Sequence, residues 1–103
     1  MDWIEEITQR YIKHKNFGEE VSDVLKQLLD QLEEKGVPTK CNLSSHYPLE
    51  WSVSIGMNNF MIKGNDIYKN KEVYDGNGLI HNHGRDTREV LQQLLVEEYT
   101  RTF

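Results

Sequence analysis

The chain is poor in residues that cross-link a fold or insert it into a membrane. Cys41 is the only cysteine among 103 residues, so no intramolecular disulfide can form and the fold depends on its core. The longest aliphatic run is Leu94-Leu95-Val96, whereas a membrane-spanning helix needs about 20 apolar residues. We therefore expect no membrane span. The acidic start, with Asp2, Glu5 and Glu6, does not fit a signal peptide and favours a cytoplasmic location.

Positive charge is also scarce. The chain has 12 Lys and Arg against 17 Asp and Glu, a formal net charge of −5. No basic stripe is visible, which argues against direct binding of nucleic acid. Alanine is absent while Asn and Lys are frequent, and we interpret this as the codon bias of an AT-rich bacterial or phage genome. The composition predicts an acidic, soluble, globular domain.

The apolar spacing predicts one α+β domain over 1–103, in the order α-α-β-β-β(-β)-α. Helical spacing predicts two helices within 1–36, separated at Asn16 and Gly18 and ended by Gly36. Alternation and turn residues predict an antiparallel meander over 49–75, with a short strand pair from Ile67 to Tyr74. A further helix is predicted over 86–101, with Asp86 as its N-cap. We expect the meander to pack against the helices.

Metal binding is one candidate activity, because His81 and His83 alternate in an extended segment and can share an ion. Cys41 and His46 would supply the other two ligands of a zinc site. The run from Gly78 to His83 also resembles the His-x-His of JAMM-type metalloproteases. At the position of that family's aspartate, however, this chain has Gln93, so the activity is not carried over. A metal-binding protein or hydrolase that uses His81 and His83 remains an alternative, and we lean against an enzyme.

Anion binding is another alternative. Glycines precede the last predicted helix, whose N-terminal N–H groups could receive a phosphate near Arg85 and Arg88. The spacing fits no Walker or dinucleotide motif. A small-ligand or nucleotide sensor that uses the loop from Gly76 to Arg88 follows as a hypothesis.

The leading hypothesis is a non-catalytic protein-interaction module: an inhibitor, immunity protein or phage-encoded modulator that occludes a partner's surface. Acidic side chains of the second predicted helix would face a basic partner; they are Glu19, Glu20, Asp23, Asp30, Glu33 and Glu34. Trp51, Tyr68 and Tyr74 would serve as aromatic anchors on the meander. The edges of so small a sheet also make a homodimer conceivable.

Overall fold

The computed structural model describes residues 2–74, 80–82 and 84–101, with the backbone alone at 73, 74 and 80–82. The elements follow one another as α1 (Trp3–Glu34), β1 (Thr39–His46), β2 (Leu49–Ile55), β3 (Asn58–Lys63), α2 (Gly64–Asn70), β4 (Val73–Tyr74), β5 (Ile80–Asn82) and α3 (Thr87–Arg101). Strands β1, β2 and β3 form an antiparallel sheet in that order, and β4 pairs with β5. The predicted α+β class and single small domain are confirmed.

Helix α1 is one continuous helix of 32 residues, so the predicted division at Asn16 and Gly18 is wrong. Gly18 lies where the helix crosses β2. A Cβ there would come within 3.2 Å of a Leu49 methyl group. The glycine thus permits a close approach between helix and strand, and the helix passes through it without a break.

Local signals set the two ends of α1, as the sequence predicts. At the start, the Asp2 carboxylate accepts a hydrogen bond from the Ile4 N–H at 3.1 Å. At the end, Gly36 takes a φ of 87°. The N–H of Val37 then bonds to the carbonyl of Leu32 at 3.1 Å, the pattern of a Schellman motif.

The core lies between one face of the three-stranded sheet and the helices. Alternate residues of β2 point into it, and Trp51 and Val53 are fully buried there. The indole Nε1 of Trp51 donates to Ser22 Oγ of α1 at 2.9 Å, which ties the central strand to the long helix. The residues of β2 that point to the other face of the sheet, such as Ser52 and Ser54, are half-buried and polar.

Two elements differ from the predicted meander. The sheet begins with β1, which lies before the predicted start of the meander at residue 49. The inward positions of β1 carry only two apolar residues, Cys41 and Leu43, which are too few for a clear alternation. Residues 64–70 form helix α2 instead of part of a strand pair, with Ile67 fully buried. One buried side chain in so short a segment does not distinguish a helix from a strand.

Helix α3 begins at Thr87, directly after Asp86, and coincides with the predicted C-terminal helix. It buries Val90, Leu91, Leu94 and Leu95 against the core. Among the described residues, no helix is both long and apolar enough to span a bilayer.

Candidate interaction surface

The first part of α1 extends beyond the body of the domain. A 32-residue helix is about 48 Å long at 1.5 Å per residue, and the longest dimension of the molecule is 52 Å. Among the described residues, the first hydrogen bond from α1 to another element is made at His14, whose Nε2 lies 2.7 Å from the carbonyl oxygen of His46. We call residues 2–13 the projecting half.

One side of the projecting half carries large apolar side chains in water. Each of them exposes between 48% and 68% of its surface. They recur at helical spacing and form a continuous apolar stripe: Trp3, Ile4, Ile7, Tyr11 and Ile12. The sequence predicts this stripe as a helical face, and the structure leaves most of it in water, with Tyr11 lining a groove beside the sheet.

Two grooves lie beside α1, and the apolar stripe reaches one of them at Tyr11. One groove, of about 600 Å³, begins at Tyr11 and runs between α1 and β1 past Leu43 and Leu49. The other, of about 630 Å³, lies between α1, the turn at Tyr47 and the start of α2. Tyr11 therefore joins the apolar stripe to the groove between α1 and β1.

Charge is segregated along the projecting half. The acidic residues Asp2, Glu5 and Glu6 come first, and the basic residues Arg10 and Lys13 follow, with Lys15 two residues further on. Glu6 and Arg10 form an ion pair at 3.1 Å, with both side chains substantially exposed. Such an exposed pair contributes little to stability. The segregation leaves one negative and one positive end on the same short helix.

The acidic residues predicted to bind a partner lie on the outer side of α1, and all six are exposed. Two of them are engaged within the fold. Glu20 Oε1 accepts from Thr87 Oγ1 at 2.9 Å, and Glu33 Oε1 accepts from Thr39 Oγ1 at 3.0 Å. The other four follow one side of the helix, interrupted by the exposed Lys26; we call Glu19, Asp23, Asp30 and Glu34 the acidic row.

Two of the predicted aromatic anchors, Trp51 and Tyr68, do not share a surface. The proposal for Trp51 as an exposed anchor is wrong, because its side chain is fully buried in the core. Tyr68 lies on α2 with 53% of its surface exposed and lines the groove beside Tyr47. The side chain of Tyr74 is outside the described part of the chain.

The two predicted anion-binding arginines tie elements together. Arg85 donates to the carbonyl of Asn70 at 3.0 Å, to Glu89 at 3.2 Å and to Gln93 at 3.1 Å. Arg88 hydrogen-bonds to Gln27 of α1. These contacts use both guanidinium groups to hold α3 against its neighbours. The glycines of the predicted anion-binding loop at 76 and 78 lie outside the described residues.

The four predicted zinc ligands are not brought together where the structure describes them. Cys41 and His46 lie on one strand, five positions or roughly 16 Å apart at 3.3 Å per residue, too far to share an ion. Burial raises the pKa of the Cys41 thiol and disfavours the thiolate that binds metal. Within the described residues, no three His, Cys, Asp or Glu side chains lie close enough together to hold a metal ion. The side chain of His81, and the whole of His83, fall outside them.

No protein-family model, curated protein or solved structure matches the chain. Its function is therefore argued from its own surface.

Proposed function

We propose that the chain is a non-catalytic protein-interaction module that docks through its apolar stripe. The observation that carries this proposal is the exposure of five large apolar side chains on one side of a projecting helix. Each of the five exposes between 48% and 68% of its surface, and a fully exposed aromatic side chain presents about 150–250 Å². Together the five therefore expose on the order of 600 Å². A contiguous apolar patch of this size typically marks an interaction site.

The acidic row and the net charge of −5 support a partner with a basic surface. The row extends over about 22 Å of helix at 1.5 Å per residue. Exposed charges of one sign accelerate association with an oppositely charged surface and select against partners of the same sign. We propose that this row steers such a partner, as in an inhibitor, immunity protein or phage-encoded modulator that occludes another protein's surface.

Photo-crosslinking in cells of the source organism tests the module. A benzophenone amino acid replaces Ile7, at the centre of the apolar stripe, or Gln9, on the opposite side of the same helix. We expect a discrete crosslinked product from position 7 and none from position 9. Equal products from both positions, or none from either, would show that the stripe is not a docking surface.

A further inference from the structure

We infer that the apolar stripe binds the same stripe of a second copy of this chain, with the two projecting halves antiparallel. The inference rests on the proposed function and names the occupant of the apolar stripe, whereas the acidic row is the surface that faces a basic partner. It follows from the order of charges along the helix, from the exposed area and from the position of the stripe beyond the body.

Charge order selects the antiparallel arrangement. In a parallel pair, the acidic ends would lie together and the basic ends would lie together. Such like charges repel within the screening distance of about 8 Å at physiological salt. In an antiparallel pair with its two-fold axis near Thr8, the acidic end of each helix lies against the basic end of the other. Glu6 and Arg10 flank the stripe on one side, so each can face the opposite charge of the second copy.

The apolar side chains fit the same arrangement. With the axis near Thr8, the Trp3–Ile4 end of one stripe lies against the Tyr11–Ile12 end of the other, and Ile7 lies near the centre. A two-fold contact of this kind is self-complementary, as most dimer contacts are. The apolar area is on the order of 600 Å² per copy before flanking residues are added, against about 800 Å² per partner in a standard interface. The stripe can thus supply most of a small dimer interface.

The position of the stripe makes the contact sterically accessible. The projecting half is about 18 Å long at 1.5 Å per residue, and its first hydrogen bond to the body is made at His14. The segment before Arg10 lines neither groove, so the two halves can overlap there while the bodies lie at opposite ends. The acidic row, on the later part of α1, remains on the outside of each copy.

Sedimentation equilibrium of the purified chain from micromolar to millimolar concentration measures the self-association. We expect a concentration-dependent rise from 12.2 kDa to twice that mass. Ile7→Lys should raise the dissociation constant at least tenfold, and Gln9→Lys, which adds the same charge on the opposite side, should leave it within threefold. Circular dichroism verifies that both variants remain folded, as expected for residues outside the core.

Two further experiments test the orientation. Glu5→Lys with Glu6→Lys leaves Asp2 as the one acidic side chain of the projecting half and should weaken the dimer. Adding Arg10→Glu with Lys13→Glu should restore it. In a Cys41→Ser background, a tagged Ile4→Cys chain should form a disulfide with an untagged Tyr11→Cys chain. It should not form one with another Ile4→Cys chain, because their Cα atoms would be about 12 Å apart, beyond the roughly 7 Å that a disulfide allows.

The outcomes separate this inference from the proposed function. A chain that stays monomeric at all concentrations, or a dimer that Ile7→Lys leaves intact, overturns the inference. In either case a crosslink from position 7 to a different protein still supports the interaction module. A monomer that cosediments with phosphatidylglycerol vesicles, and no longer does so with Ile7→Lys, overturns the inference in favour of a membrane surface. Disulfides between two Ile4→Cys chains overturn the antiparallel arrangement.

Discussion

Gly64→Ala should destabilise the domain, although alanine is the better helix former. Gly64 begins α2 and is buried. A Cβ there would lie 3.1 Å from both the Cβ and the backbone oxygen of Leu49, and 3.7 Å from the Phe17 ring. The oxygen belongs to β2, so it cannot move without distorting the sheet.

The magnitude follows from two opposed effects. Replacing glycine by alanine in a helix favours folding by at most about 1 kcal/mol, whereas overpacking a tight site costs about 1–3 kcal/mol. We expect a net loss of about 1–2 kcal/mol. For a domain of this size that lowers Tm by about 5–15 °C, which differential scanning calorimetry measures.

Gly18→Ala is the matched control, because its Cβ would also meet Leu49, at 3.2 Å. There the neighbour is a methyl group at the end of the side chain, and Leu49 lines both grooves, which give it room to shift. We expect this variant to keep or slightly raise the Tm. The reasoning is refuted if Gly64→Ala is as stable as the original chain, or if both variants lose the same amount.

Four further predictions concern polar side chains that are buried or half-buried. Ser22→Ala leaves the indole N–H of Trp51 without its acceptor and should lower the free energy of unfolding by about 1–3 kcal/mol; an unchanged urea midpoint would contradict this. Because burial raises the pKa of Cys41, its thiol should react with a disulfide reagent more slowly in the native than in the urea-unfolded chain. The stability that this shift contributes is present below the ordinary thiol pKa and should be lost as pH rises through the raised value. Thr87→Val removes a hydroxyl that contacts Glu20 and Lys71 and should cost about 1 kcal/mol in urea denaturation, whereas Thr87→Ser should retain most of the stability.

The parts of the fold that could be predicted are those with dense local signals. Asp2 and Gly36 mark helix ends by their own chemistry, and the alternation from Trp51 to Ile62 marks two strands. Strand β1 and helix α2 have few buried side chains, so tertiary contacts determine their form. Gly18 was misleading because a glycine that ends a helix and one that admits a close neighbour look the same in a sequence.

The candidate surface was only partly predictable for a related reason. The spacing from Trp3 to Ile12 predicts an apolar helical face, but whether that face is buried depends on how far the sheet extends along the helix. The turn at Tyr47 and Pro48 ends the sheet beside His14. The opposite mistake concerns Trp51, which is predicted from the sequence to lie on the surface. Its neighbours at alternate positions of β2, Leu49 and Val53, are buried, and Trp51 is buried with them.

The continuity of α1 has a consequence for how the projecting half acquires its helical form. An isolated helix shorter than about 12–15 residues is marginal in water, because its first turn is costly to nucleate. Here the buried segment around Val21 and Leu25 supplies that nucleus, and the earlier residues need only propagate it. A proline placed near Asn16 would therefore melt the outer turns while the remainder of the domain stays folded. The interaction surface is ordered through the backbone of the helix that carries it.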